Sequence, residues 1–75
     1  MAFTVKVRDV QAFLGQDGWQ RKNTEGDHHH YIHPVNTGKV TLVGERDDDV
    51  PAGLLNSILR QAGLTRKDLY VWLNR

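Results

Sequence analysis

The hydrophobic period of this chain changes twice, and that alternation limits its fold more than any other feature. Val7, Val10, Phe13 and Leu14 recur at i, i+3, i+6 and i+7, a stripe with the 3.6-residue period of an amphipathic helix. The spacing predicts a helix over Val7–Asp17, weakened by Gly15 and stopped by Gly18 as its C′ residue. At Trp19 a different pattern begins. Trp19–Asn23 reads as a short strand, Thr24-Glu25-Gly26-Asp27 as a turn, and His28–His33 as a second strand that Pro34 ends. Val35-Asn36-Thr37-Gly38 then supplies a hairpin turn into Lys39–Val43, a returning strand with β-branched Val40, Thr41 and Val43.

Helical spacing returns after the charged stretch Glu45–Asp49. Pro51 suits the first turn of a helix, and Asp47, Asp48 and Asp49 suit its positive N-terminus. Leu54, Leu55, Ile58, Leu59 and Ala62 mark the buried face of that helix and Gly63 its end. Thr65 and Asp68 are spaced as a capping box for a last short helix carrying Leu69, Trp72 and Leu73. A helix, three strands, a helix and a short helix predict an α+β fold, a small antiparallel sheet with helices on one face.

The chain has 75 residues, enough for one domain spanning 1–75 with no repeat or low-complexity segment. A domain of this size buries only about 60% of the surface its unfolded chain exposes. Without cysteine, neither disulfides nor thiolate zinc sites supplement that core. No apolar run approaches the roughly 18 residues of a membrane span, and the first residues lack a signal-peptide pattern. The expectation is a soluble cytoplasmic protein with no membrane partner. The formal net charge of +1 lacks the strong basic excess of many nucleic-acid binders. Setting aside the Asp47–Asp49 cluster leaves a mildly basic remainder, with Arg21, Lys22, Lys39 and Arg46 around the histidine segment or beyond the strand that follows it.

All four histidines lie within Gly26–Pro34, in the run G-D-H-H-H-Y-I-H-P. On a strand, successive side chains alternate between faces. His28, His30 and Ile32 therefore share one face, and His29, Tyr31 and His33 the other. His29 and His33 would sit about 13 Å apart at ~3.3 Å per residue, too far to share a metal ion. His28 and His30, about 7 Å apart, would supply two ligands only. An expression tag is excluded by the internal position of the run. Spacing alone leaves a structural role and acid–base chemistry both open. Leu69, Val71, Trp72 and Leu73 are many large apolar groups for a chain end; they either close the core or meet a partner.

Four blocks carry a resemblance to a known family. G-W at Gly18-Trp19, G-x-H-H-x-Y-x-H-P at Gly26–Pro34, G-x-V-T at Gly38–Thr41 and L-x-S-I-L-R-Q-A-G-L at Leu55–Leu64 come in order and register. Together with Val43-Gly44 through Asp47-Asp48, they resemble the HicA toxins of HicA/HicB toxin–antitoxin pairs over roughly Lys6–Leu64. Asp27 stands where that family usually has serine, and Glu45 where many members place another histidine.

The resemblance implies a fold like that of double-stranded-RNA-binding domains. It also implies an mRNA interferase: an endoribonuclease that cleaves mRNA without a metal or other cofactor and is silenced by a HicB-like antitoxin. The match puts His28 and His29 on the first and second histidines of the family's catalytic segment; His28, directly after the Gly-x turn, is the favoured catalytic ring and His29 the alternate. A histidine that removes the proton of a 2′-hydroxyl lets that oxygen attack the adjacent phosphate. DNA lacks the hydroxyl and is inert by this route. Arg21, Lys22 and Lys39 are placed to neutralise phosphates. Tyr31 and His33 are candidates for stacking on a base or hydrogen bonding to it. The alternative is a catalytically silent RNA-binding or partner-binding module of the same fold.

Overall fold

The computed structural model describes residues 4–75. Its elements are α1 (Val7–Gln16), β1 (Gln20–Glu25), β2 (His28–Ile32), β3 (Val40–Val43), α2 (Ala52–Ala62) and α3 (Arg66–Leu73). The strands form one antiparallel sheet in the order β1-β2-β3. The α+β architecture is the predicted one, with helices before and after an open sheet.

The apolar stripes do what their spacing requires. Val7, Val10, Phe13 and Leu14 of α1 are buried together with Leu55, Ile58, Leu59 and Ala62 of α2 and Leu69 of α3. The sheet contributes Tyr31, Val40 and Leu42 to this core. Each of these lies on the face of β2 and β3 opposite to His28 and Ile32, which are exposed. The helices thus cover one sheet face and leave the face of His28, His30 and Ile32 open. Trp72 and Leu73 pack partly buried against the core, while Tyr70 and Val71 are exposed. The C-terminal apolar cluster therefore divides between core and surface.

Two local predictions change. The strand β1 runs on through Thr24 and Glu25, which the sequence assigned to a turn; the turn is only Gly26-Asp27. Gly26 takes φ 61°, the left-handed backbone that a two-residue hairpin needs at its first central position. Glu25 consequently pairs with His28 and Thr24 with His29. The second change concerns the acidic cluster. Asp47 pairs with Arg8, Asp49 with Lys6 at 2.7 Å, and Asp48 accepts the Glu45 N–H at 2.9 Å. These aspartates fasten the 44–50 loop to the start of α1 instead of serving the N-terminus of α2. Val7 and Arg8 N–H groups, orphaned at that helix start, donate to the Asp48 and Arg46 carbonyls at 2.9 and 3.0 Å.

The capping box of α3 forms in both directions: Asp68 N–H donates to Thr65 Oγ1 at 3.1 Å and Thr65 N–H to Asp68 Oδ2 at 2.9 Å. Pro51 is the N-cap residue of α2, one position before its first turn. Gly63 ends α2 at φ 71°.

Candidate active site on the second strand

The tight Gly26-Asp27 turn fixes which neighbours the histidines meet. His28 begins β2 beside the turn, on the open face, with a side chain about half exposed (54%). Its Nδ1 lies 3.1 Å from Asp27 Oδ1. A carboxylate only accepts, so Nδ1 carries hydrogen and Nε2 is the ring nitrogen left to act as a base.

The other histidines are bound differently. His29 turns to the helix side, half-buried, with Nε2 2.9 Å from the Gly44 carbonyl and Nδ1 3.4 Å from Thr24 Oγ1. The carbonyl must accept, so His29 donates through Nε2 and stitches the end of β2 to the loop after β3. His30 is on the open face beside His28. Its Nε2 is 3.3 Å from Glu25 Oε1 and its Nδ1 is 3.1 Å from Thr41 Oγ1. Glu25, His30 and Thr41 thus link all three strands across the open face.

His33 lies just past β2. Its Nε2 donates to the Asp17 carbonyl at 2.9 Å, and its Nδ1 accepts the N–H groups of Val35 and Asn36 at 3.0 and 3.1 Å. The ring also meets Trp19 edge-on, with centroids 5.1 Å apart. Every polar edge of this imidazole is used to hold the backbone, a geometry that leaves nothing for a base of RNA. Tyr31 corrects the stacking expectation more directly, because only 5% of it is exposed. Burial raises its phenol pKa above the ordinary 10.0, partly countered by a hydrogen bond with Gln11 and by the Arg21 charge.

The basic residues are exposed but do not gather around His28. Arg21 pairs with Tyr31 in register, and Lys39 precedes Val40, which pairs with Tyr31 from the other side. Lys22 is the extra residue of a bulge between Arg21 and Asn23. Arg21 and Lys22 lie within about 10 Å along the strands from His28 at ~3.4 Å per residue, and Lys39, one residue further, about 14 Å away. The polar groups at the His28 end are Asp27, Glu25 and, through His29, Thr24 and Gly44. The sequence pattern assigned no role at the site to Glu25, Thr24, Thr41 or Gly44. The signal for the first two was Gly26 itself, since a two-residue turn there dictates the Glu25–His28 and Thr24–His29 pairings. Among the described residues, no group of three or more His, Asp or Glu side chains is arranged to hold a metal ion.

An open three-stranded sheet with an Asp–His pair at its tight turn defines a small α+β protein with a candidate acid–base site. The family model for the HicA toxin of bacterial toxin–antitoxin systems matches residues 7–64. The chain belongs to the HicA toxin family and is the toxin member of a toxin–antitoxin system. None of the curated proteins compared with it matches significantly.

Proposed function

We propose that this toxin is an endoribonuclease that cleaves mRNA by histidine acid–base chemistry, with His28 as the general base. The observation that carries the reading is the 3.1 Å contact between Asp27 Oδ1 and His28 Nδ1 on the exposed end of β2. In that pair Nε2 of His28 takes the proton of a ribose 2′-hydroxyl. The oxygen then bonds to phosphorus while the bond from phosphorus to the 5′-oxygen breaks. A 2′,3′-cyclic phosphate and a 5′-hydroxyl result. Positioned proton transfer of this kind is worth roughly 10²–10⁴ in rate. DNA, without the 2′-hydroxyl, stays intact.

Asp27 replaces the serine usual in the family, and its role in this reading is to orient the ring. His29 is the alternate base; its hydrogen bond to the Gly44 carbonyl argues for His28 instead. Lys22 and Lys39 serve a phosphate track running away from the cleaved bond, with Arg21, paired with Tyr31, at the sheet edge beside it. No metal or cofactor enters the scheme. A HicB-like antitoxin silences the toxin by covering the open face around His28. A reducing cytoplasm is the proposed compartment, consistent with a sequence that has no cysteine.

A second reading, RNA or partner binding without cleavage, is favoured by one observation. Glu25 and Asp27 both stand beside histidines of the open face, and their charge opposes an approaching phosphate. Labelled RNA incubated with the protein in EDTA decides between the two. Cleavage to cyclic-phosphate ends, lost in His28→Ala and retained in His29→Ala, is the expected result. Intact RNA with the wild-type protein would reject cleavage and favour the binding reading instead.

A further inference from the structure

Cleavage of a phosphodiester needs a proton given to the leaving oxygen as well as one taken from the attacking oxygen. His28 can serve only one of these needs in a single step. The open face of the sheet holds a second imidazole, His30, two residues further along β2. Its partners suit the protonated ring. The Glu25 carboxylate faces Nε2 at 3.3 Å and can only accept. The Thr41 hydroxyl faces Nδ1 at 3.1 Å and can accept in turn. An imidazolium therefore finds an acceptor at each nitrogen. His29 and His33 differ, because each spends Nε2 on a backbone carbonyl.

We propose that His30 is the general acid of the reaction, positioned by Thr41 and Glu25, so that the open face of β2 carries a base and an acid two residues apart. The inference rests on the ribonuclease reading given above. The separation is suitable: same-face neighbours on a strand are about 7 Å apart. From backbone positions that far apart, two imidazoles can diverge to opposite sides of one phosphate, as an in-line displacement requires.

In the step itself, Nε2 of His28 gains the 2′-hydroxyl proton as the new oxygen–phosphorus bond forms. As the bond from phosphorus to the 5′-oxygen breaks, that oxygen takes the Nε2 proton of His30. The Nδ1 hydrogen of His30 stays on the ring, donated to Thr41 Oγ1, which fixes the resulting neutral tautomer. Glu25 is the movable member of the set. Its side chain is 73% exposed, against 15% for His30, so it can yield its place at Nε2 to the leaving oxygen. The ground-state pairing holds the ring in place, with a hydrogen-bond acceptor at each nitrogen, until RNA arrives.

The competing possibility is that the Glu25–His30–Thr41 chain only braces the three strands. A substrate with a changed leaving group separates the two. RNA with sulfur in place of the 5′-bridging oxygen releases a thiolate, whose thiol pKa of ~8.5 removes the need for an acid. His30→Gln is expected to slow cleavage of ordinary RNA about 10²-fold or more. On the sulfur-bridged RNA the same variant should stay within about 10-fold of wild type, while His28→Gln should be slow on both substrates. A misfolded fraction lowers both rates alike, so the ratio of the two is the readout. Thr41→Val, which keeps a β-branched strand residue, is the second variant and should show the same selectivity in milder form. Equal losses on both substrates for His30→Gln and Thr41→Val would overturn the acid and leave His30 a brace. If the wild-type protein cleaves neither RNA, the ribonuclease reading falls and the acid with it. If His28→Gln is harmless while the His30→Gln loss remains specific to ordinary RNA, only the choice of base was mistaken.

Discussion

A side chain at Gly18 would collide with His33: an ideal Cβ there lies 2.9 Å from His33 Nε2, the nitrogen that donates to the Asp17 carbonyl. Gly18 also sits at φ 96°, backbone that other residues adopt only with strain. The end of α1 and the exit of β2 are therefore fitted to each other through one glycine and one imidazole.

Gly18→Ala should cost about 2–3 kcal/mol, combining the strain of positive φ with the displaced ring. Urea unfolding should register it as a lower midpoint at an unchanged slope. His33→Ala removes the collision while losing its three hydrogen bonds, so the double variant should be less destabilised than the sum of the singles. Strict additivity would mean that the two residues do not bear on each other.

Tyr31 sets an alkaline limit. Its phenol pKa is raised in the folded state, mainly by burial, so the fold prefers the neutral ring. The resulting stability is fully present below the unfolded value of about 10 and is lost as pH rises through the higher folded value. Melting temperatures taken from pH 8 to 11 should fall more steeply for wild type than for Tyr31→Phe. At neutral pH the variant should lose about 1 kcal/mol, the hydrogen bond with Gln11. Parallel alkaline profiles would refute the assignment.

Asp27 is exposed at the turn, and its pairing with His28 should contribute little to stability. Asp27→Asn is expected to melt within about 0.5 kcal/mol of wild type while cutting RNA cleavage about tenfold, because the ring loses its orienting carboxylate. Asp27→Ser, which restores the residue usual in the family, tests the same point from the other side. Undiminished cleavage in Asp27→Asn would show that His28 needs no orienting partner.

The α3 cap offers a control far from the histidines. Thr65→Ala breaks one arm of the reciprocal bonds with Asp68 and should cost about 1 kcal/mol. Cleavage per folded molecule should be unaffected. A large activity loss would instead couple α3 to the sheet face.

The helices were legible because each rests on a local stripe: Leu55, Ile58, Leu59 and Ala62 are buried as their spacing requires. So was the α3 cap, whose donors and acceptors lie three residues apart. The alternation of β2 gave the two sets of side chains, but composition could not say which set faces the helices; Tyr31, Val40 and Leu42 decide it by meeting the core. Thr24 and Glu25 look like turn residues and become strand because His28 and His29 pair with them. Asp47 and Asp49 look like helix-start acids and instead answer Lys6 and Arg8, some forty positions earlier. The contact of His33 with the end of α1 had no local signal, since Asp17 and Gly18 are near only after the chain has folded.

The strand β1 has a consequence for the free toxin. All six of its residues are exposed, and it lies at the sheet edge, where unpaired amides can template a strand from another molecule. Its side chains, Gln-Arg-Lys-Asn-Thr-Glu, give such a visitor no apolar surface to bury, and the bulge at Lys22 breaks the ladder between Arg21 and Asn23. A second copy adding to this edge would find no regular run longer than Asn23–Glu25. At this edge the toxin is thereby expected to resist amyloid-like stacking even when nothing covers it. Deleting Lys22 should straighten the edge and raise light scattering in concentrated solution, where the parent protein stays clear.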